Sequence, residues 1–549
     1  MTLNRKELCA MVGREIDSRR LQGDLFDLGL ETEEQNGDDI TLDVTADRPD
    51  LLSVEGIARL LRYHYGLETK VRVPEVQKSE FTCVVDPSMR GIRPYITCAI
   101  VKDIRVTDGL IKSLMQVQEK LHGTFGRNRR KGAIGIHDLD KLSGTSITYR
   151  AVKPEGDTFV PLGKTERMTL GGALREHEKG RQYGHIVDGK GALPAIYDAA
   201  GIFSFPPIIN SARTEVTTST RNLLVELTGE DRGTIERMLN ILLYMLSDRG
   251  GKVHSLRVRS GSATEIEPSL KTEKLGITPE YVNSVLGTEF TAAQIRSLLA
   301  KSGFGGGQGG KSITVTVPPY RADVLHAKDV VDDIGRAYGF NNLTPSYPAT
   351  PTIGELTRTT KLTGAVRDVL VGEGFQDLLN FMLTDKDSNY GRMGIGDDGT
   401  AVEIENPYSE QYTIVRTWLL PSLMQVLSNN RTRQYPQNLS EVGQAMLLDG
   451  KIDLGCATAW KAAAAMCGMD AQYNTMKSEL QNLARAFGAE LETVPLKHPS
   501  FITGRCASVL INGKAAGFIG EISPKVLRSW GIEMPVAAFE IGVDALAPG

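Results

Sequence analysis

At 549 residues the chain is too long for a single hydrophobic core and divides into about three to five domains. A formal charge of −4, with 41% hydrophobic and 24% charged residues, excludes a disordered chain and a polybasic one, so any RNA contact must come from a local patch. Six cysteines without a C-x-x-C pair, and histidines that do not cluster with them, exclude a disulfide framework and a structural zinc site and point to a reducing cytoplasm.

The N-terminus, MTLNRKELCAMVG, has no apolar signal core. The run ATAWKAAAAM is too short and too broken to span a bilayer, so no membrane contact is expected. Residues 1–84 read as a small α+β domain. In DDITLDVTAD, Ile40, Leu42 and Val44 alternate with polar neighbours, the period of a half-buried strand. Pro49 stops that strand. Asp50 is then placed to cap a helix over LLSVEGIARLLRYHYG, whose apolar stripe is Leu51, Val54, Ala58 and Leu61.

Residues 85–265 hold many short β-like runs: PYITCAIVKDI, AIGIHDL, TSITYRAV, GHIVDG and NLLVELTG. Turn residues separate them, which predicts a mixed-sheet module. Its loop FGRNRRKG carries Arg127, Arg129, Arg130 and Lys131, and two readings stand: a solvated surface loop, or a contact for RNA phosphates. His137, on the next strand, reads as a packed or hydrogen-bonded residue. In VELTG, alternation alone puts Glu226 and Thr228 on one polar face.

Residues 266–347 read as helix, helix, glycine-rich turn, strand, helix. The segment GGGQGGKS, residues 305–312, meets the P-loop expression G-x-x-x-x-G-K-[ST] by letter. Phosphate binding needs strand, loop, then helix, and here a helix ending at Gly303 comes first and the strand SITVTVP follows, so that reading is rejected. Next comes VPPYRADVLHAKDVVDDIGRAYGF, with four aspartates. Val330, Val331, Ile334 and Tyr338 make an apolar helix face, and Asp323 reads as its cap. Asp329, Asp332 and Asp333 are like-charged neighbours at helical spacing, costing a few tenths of a kcal/mol per pair, which Arg336 partly offsets. They are a solvated stripe or, with oxygen-only donors, ligands for a hard cation such as Mg²⁺. After the connector SYPATPTIGE, residues 348–549 alternate long helices (TKLTGAVRDVLVGEGF, AQYNTMKSELQNLARAFG) with strands (CASVLINGKAAGFIGEI) in one large α+β domain.

Five segments, DVTADRPDLLSVEGIAR, GRNRRKGAIGIHDLDKL, FPPIINSARTEVTTSTRNLLVELTGED, VPPYRADVLHAKDVVDDIGRAYGFNNLTP and ENPYSEQYTIVRTWLLPSLMQVL, together resemble the phenylalanyl-tRNA synthetase β-subunit family of the archaeal and eukaryotic type. The resemblance implies a multidomain α+β fold: a mixed-sheet editing module, a small winged-helix-like metal domain, and a C-terminal class II synthetase-like antiparallel-sheet domain. It implies an (αβ)₂ heterotetramer with a phenylalanyl-tRNA synthetase α subunit, which binds ATP and joins phenylalanine to tRNA. For this chain it implies tRNA contacts, a Mg²⁺ on Asp323, Asp329, Asp332 and Asp333, and an editing site that hydrolyses tyrosyl-tRNA. Glu226 would read the tyrosine hydroxyl, with Ser204 and Thr228 lining the pocket. A polar reader of this kind discriminates on a hydroxyl far better than an apolar pocket does.

Adenylation makes other demands. A class II site needs an Arg in an R-x-E strand to clamp the ATP α-phosphate. YPQNLSEVG keeps Glu441, but Asn438 stands where the Arg should. GKAAGFIGEISPKVLRSWG likewise lacks G-x-G-x-G-x-R, so the polyphosphate charge has no stabiliser here. Two alternatives to a synthetase subunit are a free-standing RNA-binding or trans-editing protein, and a Mg²⁺-dependent phosphohydrolase. The second lacks a nucleophile or further carboxylate cluster near the aspartates.

Overall fold

Alternation of apolar residues closes the first sheet. In the computed structural model, which describes residues 1–307, 312–350 and 352–547, Ile40 and Leu42 are fully buried on the strand Asp39–Asp43. This strand lies between Thr2–Asn4 and Glu31–Asn36 in an antiparallel sheet covered by the helices Arg5–Val12, Ser18–Asp27 and Val54–His64. The last of these helices starts later than the sequence suggests. Ser53 caps it, accepting from Gly56 N at 3.1 Å. Asp50 instead sits buried in the turn before, both of its oxygens held at 2.9 Å by Arg48. A carboxylate gripped by a guanidinium is not free to satisfy helix N–H groups.

The chain separates into two compact units, Met1–Tyr347 and Pro348–Gly549. The first is built around two sheets. One runs Val76–Gln77, Lys252–His254, Tyr95–Lys102, Leu223–Gly229, Ala133–Asp138; the other runs Ile209–Asn210, Gly201–Phe205, Leu193–Asp198, Ser146–Val152, Thr82–Val85, Leu256–Ser260, Ala263–Glu267. Strands from Val76 and Thr82 belong to these sheets, so the module begins before residue 85. GHIVDG is not a strand: Gly184–Ile186 make a 3₁₀ turn directly after the helix Glu178–Tyr183.

Period two sorts the central strand Leu223–Gly229 between two cores. Leu223, Val225 and Leu227 pack under the helices Asp108–Gly123 and Arg232–Asp248, while Leu224 joins Cys98, Ile147 and Phe203 between the sheets. Glu226 and Thr228 therefore enter a closed interior, not a wet face. The edge strand Ala133–Asp138 is pinned by His122, whose Nε2 accepts from Ile134 N at 2.8 Å. Burial drives the His122 pKa down to about 4, which keeps that nitrogen an acceptor.

Residues 273–338 form three helices, Pro279–Leu286, Ala292–Lys301 and Ala327–Tyr338, against a sheet ordered Glu273–Ile277, Ile313–Val317, Gly305–Gly306. Gly303, at φ +78, turns the chain out of the second helix. Helix precedes and strand follows the glycine-rich segment; its residues 308–311 lie outside the described ones.

The second unit is a seven-stranded sheet in the order Gln376–Asp377, Gln437–Leu448, Cys456–Cys467, Val536–Gly542, Lys514–Ile522, Phe501–Ile511, Leu491–Pro495. It is antiparallel except for its first pair. The alanine run splits by parity: Ala462 and Ala464 pack with the helices Arg358–Gly372 and Tyr473–Ala486, and Ala463 and Ala465 with Leu420–Asn429. A two-residue turn at Asn512 and Gly513, both with positive φ, joins the hairpin Phe501–Ile522.

Candidate functional site

Glu226 stands at the centre of the two-sheet module and is 1% exposed. Its Oε1 accepts from Ser204 Oγ at 3.0 Å and lies 3.7 Å from His137 Nε2. Its Oε2 and His137 Nε2 are buried without a hydrogen-bond partner among the described residues. Glu226 and Ser204 line a cavity of about 390 Å³, within the size range of small-molecule sites. Leu114, Ile134, Phe205 and Val216 supply apolar wall, and Asn210 adds a polar group.

Of the residues expected in the site, Ser204 and Glu226 are in direct contact. Thr228 is not on the cavity. It lies two residues along the same strand, fully buried, with its Oγ1 accepting from Arg93 Nε at 2.9 Å. Arg93 also donates to the carbonyls of Thr228, Arg129 and Arg130, so Thr228 helps fix a loop rather than a ligand.

His137 is fully buried, as its place on a strand suggests. Its Nδ1 is paired with Thr214 Oγ1 at 2.9 Å and its ring stands edge-on to Phe203. Ser, His and Glu thus meet, but in the wrong order for a nucleophile triad. That chemistry needs the imidazole between hydroxyl and carboxylate, whereas Ser204 donates straight to Glu226. The arrangement can accept a hydroxyl proton; it does not activate Ser204.

The basic loop divides. Arg127, Asn128 and Arg129 have φ of +50, +51 and +68, costly for residues with a Cβ and held only because the surroundings dictate it. Arg129 is buried. It donates to the Pro207 and Ile208 carbonyls at 3.0 Å each and to Glu119 at 2.9 Å, and lies over the Tyr183 ring. It braces the cavity wall. Arg130 pairs with Glu230, while Arg127 and Lys131 are exposed.

The four aspartates do not converge. Arg321 holds both oxygens of Asp323 and reaches Asp333 at 2.5 Å, with Arg48 3.7 Å from Asp333. Burial opposes the charge of Arg321, but Asp333 and Asp323 outweigh it and hold its pKa well above the usual guanidinium value. Asp329 closes a capping box, accepting from Leu325 N and His326 N, and His326 rather than Asp323 is the cap residue. Asp332 pairs with Arg336 and is half exposed. Among the described residues no group of three or more His, Cys, Asp or Glu is placed to hold a metal. The residues present do not fit a Mg²⁺ shell within this chain, because two arginines already neutralise the buried pair.

Family models match along the chain: a B3/4 domain over residues 109–242, a tRNA synthetase B5 domain over 275–340, and a phenylalanyl tRNA synthetase beta chain CLM domain over 343–543. The phenylalanine–tRNA ligase beta subunit of Methanocella arvoryzae is 52% identical over 549 residues, covering 100% of this chain and 99% of its own. The chain belongs to the phenylalanine–tRNA ligase β-subunit family. The beta subunit of Natronomonas pharaonis is 46% identical, covering 96% of each chain. A crystal structure of an N-terminal fragment of the phenylalanyl-tRNA synthetase beta-subunit from Pyrococcus horikoshii aligns with a TM-score of 0.60 at 34% identity, over 62% of this chain and 99% of that one.

In this family member, the region matched by the CLM domain pairs its own charges. Arg416 Nη1 lies 2.7 Å from Glu441 Oε1, both residues buried, and Asn380 Nδ2 donates to the other Glu441 oxygen at 2.7 Å. Two positions before Glu441 stands Leu439, packed in the core. Lys461 pairs with Glu540 at 2.9 Å, and Glu540 also accepts from Leu419 N and Leu420 N where the helix Leu420–Asn429 begins. These cations are engaged by carboxylates of the chain itself. No helix among the described residues is long and apolar enough to cross a membrane.

Proposed function

We propose that this chain is the β half of a phenylalanine–tRNA ligase that works as an (αβ)₂ assembly in the cytoplasm. In this reading the α subunit binds ATP and phenylalanine, and this chain contributes tRNA contacts and hydrolyses tyrosyl-tRNA. The self-paired cations of the second unit support placing adenylation on the partner. Leu379, Phe381 and Leu383 alternate along an exposed segment, with Phe381 against Tyr412, an apolar surface suited to cover by the α subunit.

Glu226 Oε2 carries the editing reading: a buried carboxylate oxygen with no partner among the described residues, in a residue that lines a cavity and meets Ser204 through its other oxygen. A tyrosine hydroxyl donates to it. Phenylalanine brings no donor, and a buried acceptor left unpaired disfavours that substrate. With Ser204 engaged as a donor, hydrolysis rests on an oriented water. Mg²⁺ serves the ATP chemistry of the family. At the acidic segment Asp323 and Asp333 pair with Arg321, Asp332 pairs with Arg336 and Asp329 caps its own helix, so these four residues offer no Mg²⁺ shell of their own.

The test is co-expression with the α subunit, followed by deacylation of tyrosyl-tRNA by wild type and Glu226→Ala. An unchanged rate removes Glu226 from the site. A chain that deacylates tyrosyl-tRNA alone and never retains the α subunit replaces this reading with the free-standing one.

A further inference from the structure

We infer that Gly135 determines the specificity of the editing pocket: by lacking a Cβ it gives the Glu226 carboxylate the space in which it meets Ser204 and keeps Oε2 free. This rests on the editing reading above. Gly135 is the direct cross-strand partner of Glu226 in the antiparallel pair of Ala133–Asp138 with Leu223–Gly229. Directly opposite residues project on the same face of a sheet, so a side chain at 135 and that of Glu226 compete for one volume.

A Cβ built on Gly135 would stand 2.2 Å from Glu226 Oε1, 2.8 Å from Glu226 Cδ and 3.0 Å from His137 Nε2. These three nearest atoms all belong to side-chain ends. Gly135 is also not among the residues with positive φ, so backbone conformation does not call for glycine there. Glycine inside a strand weakens it and often marks a close approach by another group. Here that group is the carboxylate.

Gly229, at the end of the neighbouring strand, makes the contrast. A Cβ there would meet the Lys131 backbone oxygen at 2.1 Å, so that glycine serves the packing of main chain on main chain. At Gly135 the nearest atoms to an added methyl group are a movable carboxylate tip and an imidazole. Moving the tip breaks the 3.0 Å contact with Ser204 and shifts the carboxylate that lines the cavity.

The experiment uses the complex with the α subunit and compares wild type, Gly135→Ala, Glu226→Ala and the double variant. Deacylation of tyrosyl-tRNA and of phenylalanyl-tRNA is measured with thermal melting of each protein. Gly135→Ala is expected to lower tyrosyl-tRNA deacylation by about tenfold or more, the scale of one hydrogen bond to a charged group, and to erode the preference for tyrosyl- over phenylalanyl-tRNA. Adding Glu226→Ala to it should cost nothing further, because both changes act through one carboxylate. If Gly135→Ala lowers the melting temperature, Glu226→Ala must restore it, since it removes the clashing group. Wild-type editing by Gly135→Ala while Glu226→Ala is impaired overturns this inference alone, as do losses that multiply in the double variant or a melting defect that Glu226→Ala leaves in place. Wild-type editing by Glu226→Ala overturns the pocket reading, and this inference with it.

Discussion

Arg321 Nη2 lies 2.5 Å from Asp333 Oδ2, and both side chains are nearly shut off from water. The same guanidinium holds Asp323, so Arg321 does for this pair what a cation would do. Removing one partner of a buried pair strands the other charge. Arg321→Ala strands both Asp333 and Asp323 and is therefore expected to destabilise the first unit by about 3–5 kcal/mol. Asp332, with its side chain 51% exposed, makes only a surface pair with Arg336, and Asp332→Ala should cost less than about 1 kcal/mol. Urea denaturation of the two variants decides; equal losses would show that the arginine pairs do not hold this segment.

Arg129 and Arg127 stand two residues apart in one basic run and differ in kind. Arg129→Ala leaves the Pro207 and Ile208 carbonyls and Glu119 without their donor. Since Pro207 and Ile208 line the cavity, both stability and tyrosyl-tRNA deacylation should fall. Stability alone should drop by about 2 kcal/mol or more, the scale of several lost hydrogen bonds to a charge. Arg127→Ala, on the exposed side, should leave stability within about 0.5 kcal/mol. If Arg127 touches RNA phosphate, it lowers the slope of log affinity against log salt by about 1. A melting loss in Arg127→Ala equal to that of Arg129→Ala would contradict this division.

Local pattern made much of this legible. Alternation placed the strands around Leu42, His137 and Val225, and helical spacing placed Val330, Val331 and Ile334 on the buried face of their helix. The misses share a cause: a side chain's job was taken by a partner far away in sequence. Asp50 and Asp323 read as caps, but Arg48 and Arg321 hold them, so Ser53 and His326 cap instead. Thr228 reads as pocket lining, but Arg93 claims it from 135 positions away. Gly135 interrupts a strand, a local sign that another group comes close, but which group it is depends on the residue opposite. The strand Glu273–Ile277 is hidden because EKLGI buries only Ile277 fully and shows no clean alternation.

The second unit predicts its own catalytic silence. Purified without an α subunit, the chain should give no phenylalanine-dependent pyrophosphate exchange, and Leu439→Arg, which would complete R-x-E with Glu441, should not create any. A single new guanidinium does not supply the remaining phosphate-binding cations, and Arg416 and Lys461 are engaged by Glu441 and Glu540. Exchange activity in either protein would overturn the assignment of adenylation to the partner.

Two buried groups in the first unit should give opposite slopes of stability with pH. His122 has its pKa driven down by burial to about 4, so between pH 6.5 and 4 the unfolded chain takes up a proton the folded one refuses. Its contribution is complete above pH 6.5 and is lost as pH falls toward 4. Glu267 is pushed up to about 7, first by burial and against hydrogen bonds from Thr97 and Cys98 N, so the folded chain keeps a proton that the unfolded chain releases from pH 4.5 upward. Its contribution is complete below pH 4.5 and is lost as pH rises through 7, on the order of 3 kcal/mol. Glu267→Gln stays neutral and keeps an acceptor for Cys98 N, so it deletes the second slope and leaves the first. Hydrogen exchange at the strand Tyr95–Lys102 should show wild-type protection changing little from pH 4.5 to 6.5, where the two slopes oppose, while protection in Glu267→Gln rises over the same range. At pH 8 the variant should be the more protected protein. A constant difference between the two proteins across the whole range would mean that Glu267 titrates alike in the folded and unfolded chains.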